Sequence, residues 1–253
     1  MDLELTGKVA LVTGASRGIG RAIAKGLAAE GARLIIAARG AEALEETQRS
    51  LEATGAEVLA VTADVGDDAS AAALVGKAHE RFGQIDILIS NATALAVTGD
   101  RAGWENSLNV DVMGAVRLVD AALPKMRDRQ SGTILLVSSV SAIEAAPMTD
   151  FGYTAAKAAL NAFAKKLAVV EGQHGIRTNA LLPGSTEFPD GGWDMMREQH
   201  PEIYEMVRQS VPAGRLGTPR EIADAAVWLV SPRAGWVNGA SLVVDGGQSK
   251  GIR

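Results

Sequence analysis

Tyr153 and Lys157 stand four positions apart at the start of an alanine-rich helical run, so their side chains share one face. A free tyrosine has a pKa of about 10 and is a poor general base near neutrality. A neighbouring ammonium favours the phenolate and brings that value toward the range where proton transfer is efficient. The start of a helix adds positive potential. Ser139 follows an apolar strand-like run, where its hydroxyl can hold a carbonyl oxygen beside the tyrosine. Alone, Tyr-x-x-x-Lys is commonly a surface pairing. With a serine at the same edge it becomes a constellation for moving a proton to or from a carbonyl.

A second group of residues is suited to binding an anion. Val9 to Val12 is an apolar run too short for a helix, and Gly14, Gly18 and Gly20 follow it. Ile19, Ile23 and Leu27 then mark one face of a helix. A strand that turns through glycines into a helix N-terminus offers free N–H groups and a positive dipole end to a pyrophosphate. A glycine turn with no ligand has the same sequence, so later residues must decide. At the end of the second strand, where NAD-binding proteins carry an acid for the ribose 2′-hydroxyl, the chain reads Ala37-Ala38-Arg39. A guanidinium there grips a 2′-phosphate, and Arg17 reaches the same group from within the glycine loop. Asp64, after the third strand, can accept from an adenine amino group or serve as a helix cap.

The elements that must position these residues alternate regularly. Apolar strands are expected at Val9–Val12, Arg33–Ala38, Val58–Thr62, Ile85–Ser90 (with Asp86 inside), Thr133–Val137, Arg177–Leu182 and Leu242–Asp245. Helical patterns lie between them, including a long stretch from Gly103 to Arg129 that Pro124 is expected to kink or end. Thr218 is placed to cap a helix over Pro219–Val230. This alternation predicts an α/β domain: a doubly wound parallel sheet of about seven strands with helices on both faces, and a crevice at the carboxyl ends of the strands. Ser185 to Gly217 reads as irregular, and its apolar Phe188, Trp193, Met195, Met196, Tyr204 and Met206 suit a lid over a pocket, the alternative being a helix from about Asp194 to Arg208 packed on the core.

Composition bounds the rest. The 253 residues, 47% of them apolar, suit one domain covering 1–253. A net charge of −5 without a basic cluster argues against nucleic acid or an anionic membrane surface. No apolar run is long enough to span a bilayer, and the acidic start Met1-Asp2-Leu3-Glu4 is unlike a signal peptide. With no cysteines there is no thiol chemistry, and cytoplasm is the default location. His79, His174 and His200 lack metal-ligand spacing and read as surface residues, so no metal site is expected.

From Gly7 to Gly247 the chain resembles the short-chain dehydrogenase/reductase family, in particular members like the 3-oxoacyl-[acyl-carrier-protein] reductases. The matching pieces are Thr13-Gly-Ala-Ser-Arg-Gly-Ile-Gly20, Asp64-Val65, Asn91-Ala92, Ser139, Tyr153-Thr-Ala-Ala-Lys157, Asn179, Pro183-Gly184 and Val244-Asp-Gly-Gly247. The resemblance implies a single Rossmann-type domain with a substrate lid at about 185–213. It implies an NADP(H)-dependent enzyme that interconverts a ketone and a secondary alcohol. Ser139 polarises the carbonyl, Tyr153 gives or takes the proton, and Lys157 acts on the tyrosine while binding the nicotinamide ribose. Cofactor contacts fall on Gly14, Ser16, Arg17, Gly18, Ile19, Gly20, Arg39, Asp64, Val65, Asn91, Tyr153, Lys157, Pro183, Gly184 and Thr186. The partners implied are a small carbonyl or alcohol substrate and further copies of the chain, in a homotetramer or a dimer.

Three positions depart from the family pattern. Ser90-Asn91-Ala92-Thr93 stands where Asn-Asn-Ala-Gly is common, so a Cβ replaces the glycine. Phe188 stands at a threonine position, with Thr186 near enough to substitute. Asp111 occupies the fourth catalytic position, usually Asn, whereas Asn109 is out of register with it. These departures leave a second reading, a catalytically impaired NADP-binding sensor or scaffold.

Overall fold

A computed structural model describes residues 1–146 and 148–251. Seven parallel strands form one sheet: β1 (Val9–Thr13), β2 (Arg33–Ala38), β3 (Val58–Thr62), β4 (Ile87–Ser90), β5 (Gly132–Val137), β6 (Ile176–Pro183) and β7 (Ser241–Val244). Their order is β3-β2-β1-β4-β5-β6-β7, so the direction of winding reverses between β1 and β4. β1 is buried throughout because helices cover both faces, which is why its sequence is continuously apolar instead of alternating.

One face is covered by α1 (Gly18–Ala29), α2 (Ala41–Glu52) and α9 (Pro219–Val230). The other carries α3 (Asp68–Phe82), α5 (Gly114–Asp128) and α6 (Phe151–Glu171). Val12 and Ile36 of the sheet pack with Ile23 and Leu27 on the first face, and Leu11 and Ile35 with Leu74 and Leu118 on the second. The cap on α9 forms as expected: the Thr218 hydroxyl accepts from the Glu221 N–H, and the Glu221 carboxylate accepts from the Thr218 N–H.

The structure differs from the sequence reading in several places. The stretch expected as one helix from Gly103 is α4 (Arg101–Asn106), a π-helical turn at Ser107–Met113, and then α5. Pro124 does not end the helix, which continues to Asp128. It lies inside α5, where it and Asp120 are both exposed, and it lacks only the N–H that a regular residue 124 would have given to the Asp120 carbonyl. The break comes instead at the π turn, a form found frequently at functional sites. Asp86 sits just before β4, and its carboxylate accepts from the Val9 N–H at 2.8 Å. The segment after β6 is not irregular: α7 (Gly192–Gln199) and α8 (Pro201–Ser210) lie within it. They are separated at His200 because Pro201 starts a new helix. His79 is half-buried between α3 and α5 instead of lying on the surface. Burial, helped by the positive charge of Lys125, lowers its pKa.

Candidate active site

The winding reverses between β1 and β4, and a doubly wound sheet binds ligands at the carboxyl ends of the strands beside such a point. Gly14 and Gly18 adopt φ of +65° and +55°, which L side chains rarely adopt. A Cβ on Gly20 would collide with the Gly14 carbonyl and the Asn91 amide, so only glycine lets α1 begin this close to β1. Asn91 fixes the loop by donating to the carbonyls of Thr13 at 2.9 Å and Gly14 at 3.2 Å. The Thr13 hydroxyl in turn accepts from the Asn91 and Ala92 N–H groups. Ser16, Arg17 and Ile19 lie on this turn, at the N-terminus of α1. The N-cap Arg17 is extended and supplies no side-chain cap, so the helix start faces the crevice without a side-chain acceptor of its own.

Arg39 follows β2 and is exposed, and among the described residues it has no ion-pair or hydrogen-bond partner. Arg17 is also exposed, and its guanidinium donates to the Asp190 carbonyl at 3.2 Å. The glycine cradle and the unpaired Arg39 fit a dinucleotide carrying an extra phosphate. Asp64 is exposed after β3, and its carboxylate accepts from the Gly66 N–H at 2.9 Å, leaving a second oxygen available. Val65 is buried beneath Gly114 of α5. Pro183 ends β6, and a Cβ on Gly184 would lie 2.6 Å from the Asp245 Cβ. The Thr186 hydroxyl donates to the Gly184 carbonyl at 2.9 Å, so its oxygen is left to accept.

The proposed reacting residues meet at the end of β5. Ser139 caps a short 3-10 turn at Val140–Ala142, accepting from the Ser141 N–H and donating to the Ser141 hydroxyl at 3.2 Å. Its neighbour Ser138 donates to the Lys157 carbonyl at 2.8 Å, tying the strand end to α6. Tyr153 lies one helical turn before Lys157, whose Nζ is 5.4 Å from the phenol ring centroid. That ammonium is buried and donates to the Val137 carbonyl at 3.1 Å.

Asp111 completes this cluster from the π turn. Its Oδ1 is 2.9 Å from Lys157 Nζ, with both side chains essentially inaccessible to solvent. The same oxygen accepts from the Thr93 hydroxyl at 2.6 Å, and Oδ2 accepts from the Ala94 N–H at 3.0 Å. Burial pulls the Lys157 pKa down, but the Asp111 carboxylate and the tyrosine outweigh it, and the net direction is upward. Asn109 points elsewhere, holding the Gly66 carbonyl and Arg117. The contact between Thr93 and Asp111 was not anticipated from the sequence, although both positions depart from the family pattern.

The segment after β6 reaches the glycine loop. The Phe188 ring packs on Gly18, where an added Cβ would lie 2.6 Å from the ring edge. Arg197 pairs with both Glu187 and Asp194, and the Tyr204 hydroxyl donates to Glu187 at 2.6 Å. No residue of α7 or α8 is buried.

Comparison with known proteins agrees with this architecture. A family described as Enoyl-(Acyl carrier protein) reductase matches residues 14–249. Oxidoreductase UcpA of Escherichia coli (strain K12) is 36% identical over 254 residues, covering 97% of this chain and 96% of that protein. The chain belongs to the short-chain dehydrogenase/reductase family. An L-rhamnose 1-dehydrogenase (NAD(P)(+)) of Sphingomonas sp. (strain SKA58) is 38% identical over 251 residues, 96% of each chain. The crystal structure of L-sorbose reductase from Gluconobacter frateurii, complexed with NADPH and L-sorbose, superposes with a TM-score of 0.90 at 34% identity and full coverage of both chains. As a short-chain dehydrogenase/reductase, the protein is an oxidoreductase with a single Rossmann-type domain. No helix among the described residues is long and apolar enough to cross a membrane.

Proposed function

We propose that this short-chain dehydrogenase/reductase interconverts a ketone and a secondary alcohol of a small molecule, using NADP(H). The observation that carries the reading is the buried Lys157 ammonium 5.4 Å from the Tyr153 ring, on a helix that Ser138, the neighbour of Ser139, ties to the carboxyl end of β5. A nicotinamide cofactor, when bound, supplies or accepts the hydride. The Ser139 hydroxyl holds the substrate oxygen, and the Tyr153 hydroxyl gives its proton to that oxygen in reduction or removes it in oxidation. Lys157 stabilises the phenolate electrostatically and is held by the Val137 carbonyl and Asp111.

The cofactor is assigned to Gly14, Ser16, Arg17, Gly18, Ile19 and Gly20 at the helix start, with Asp64 and Val65 beside the adenine. Asn91, Tyr153, Lys157, Pro183, Gly184 and Thr186 are assigned to the remainder. Arg39 favours NADP(H) because it is exposed, unpaired and placed where an acid would repel the 2′-phosphate. NADPH in the related L-sorbose reductase supports this choice. Residues 185–213 act as a lid over the substrate, a reading supported by the absence of buried residues in α7 and α8. A homotetramer is supported by the exposed apolar Trp104, Phe151, Val169 and Val170 on α4 and α6.

A panel of ketones and sugars, followed through loss of reduced-nicotinamide absorbance with NADPH, tests the reading. Turnover of at least one carbonyl is expected. Binding of NADPH with no turnover across a broad panel would favour the sensor or scaffold instead.

A further inference from the structure

Two departures from the family pattern, eighteen residues apart in sequence, are joined in the structure: the Thr93 hydroxyl donates to Asp111. A glycine at 93 could not make this bond. The geometry fixes the hydroxyl's role, because its oxygen accepts from the Leu95 N–H at 3.1 Å while its hydrogen goes to Asp111 Oδ1 at 2.6 Å. That same Oδ1 faces Lys157 Nζ at 2.9 Å. One buried carboxylate oxygen is therefore shared between a hydroxyl and an ammonium, and the ammonium lies beside the Tyr153 ring.

We propose that Thr93 is a positioning residue for proton transfer: by sharing Asp111 Oδ1 with Lys157, its hydroxyl sets how much of the ammonium's field reaches the Tyr153 phenol. This rests on the reading of Tyr153 as the proton-transfer group. A hydrogen bond donated to a carboxylate draws off part of its charge and is stronger than one between neutral groups. Without it, that charge falls on Lys157 alone, the ion pair tightens, and less positive potential remains to stabilise a phenolate.

Arg117 of α5 donates to the Asn109 carbonyl of the π turn and is paired with Asp68. The π turn carries Asp111 as its one ionisable side chain, and β5 and the 3-10 turn carry none. On α4, Arg101 and Glu105 pair with each other in solvent. Asp150, at the start of α6, accepts from the Thr154 hydroxyl at 3.3 Å. Arg177 of β6 is spent on the carbonyls of Leu229, Val237 and Ser231. Lys165 donates to the Gly239 carbonyl, and His174 meets Gln130 past the far end of α6.

The test needs no substrate. The chain has two tyrosines, so in a Tyr204→Phe background the alkaline phenolate absorbance of the cofactor-free protein reports Tyr153 alone. Thr93→Val keeps the shape and removes the hydroxyl, and Thr93→Ser keeps the hydroxyl. Thr93→Val is expected to raise the phenolate midpoint by about half a pH unit, roughly a threefold loss of phenolate at fixed pH. Thr93→Ser is expected to restore the parent midpoint. In an Asp111→Asn background Thr93→Val should have no effect, because the shared carboxylate is gone. An unchanged or lowered midpoint, or an equal shift in both backgrounds, would overturn the proposal. Should Thr93→Val fold poorly, Thr93→Ala is judged by the same criteria. Failure of the carbonyl panel would overturn the catalytic reading and leave this titration intact, so the two fail separately.

Discussion

Asp111 Oδ1 lies 2.9 Å from Lys157 Nζ in a buried ion pair, at a position where the family usually has a neutral asparagine. The carboxylate secures the ammonium and also opposes a phenolate on Tyr153. The π turn that carries it is a feature of the backbone, which an asparagine can also adopt. Asp111→Asn is therefore expected to stay active and to move the basic limb of the pH profile for alcohol oxidation to lower pH. An inactive variant would show that the carboxylate itself takes part in the reaction.

The same pair has a stability consequence. Removing the ammonium in Lys157→Ala leaves Asp111 buried without its counter-charge, a loss on the order of 3–5 kcal/mol. Because the folded-state pKa of Lys157 is raised, the pair's contribution is fully present below the unfolded lysine value of about 10.4 and is lost as pH rises through the folded value. Urea unfolding at neutral pH is expected to show the destabilisation in Lys157→Ala. In strongly alkaline buffer the gap to the parent protein should narrow.

Tyr153→Phe is expected to abolish turnover while NADPH still binds, since only the hydroxyl is removed. Lys157→Ala should damage both rate and binding, having been assigned to both. Near-normal turnover in Tyr153→Phe would remove the tyrosine from the mechanism.

Arg39 follows β2, exposed and unpaired among the described residues. Arg39→Ala should weaken NADPH by on the order of 1.5–3 kcal/mol, about tenfold to a hundredfold, and leave NADH little changed. Fluorescence titration of both cofactors against both proteins decides. Equal affinity of the parent protein for NADH and NADPH would refute the preference.

Phe188 rests on Gly18 and Asp190 accepts from Arg17, so the lid meets the glycine loop directly. Residues 188–206 are expected to gain protection from hydrogen exchange when NADPH and substrate bind together. Protection that does not change across this segment would count against a lid.

The sequence by itself determined which segments are strands, because β strands buried on both faces must be short and continuously apolar, as in Leu34-Ile35-Ile36. It also determined the glycine loop, where Gly14, Gly18 and Gly20 record a backbone with no room for Cβ atoms, and the cap at Thr218. Tyr153 and Lys157 were legible because a helix places residues four apart on one face. What lies across the fold was not. Pro124 was misleading as a helix end, because whether a helix continues past a proline is set by the packing of its other face, here Leu118, Ala122 and Met126. The helix weighed as an alternative over about Asp194 to Arg208 is two helices, because Pro201 after His200 starts the second. Thr93 and Asp111 looked like two separate departures, since neither local periodicity nor spacing relates the end of β4 to a π turn. Their shared hydrogen bond exists because the doubly wound sheet brings both to one edge, where Lys157 from α6 meets the same carboxylate oxygen.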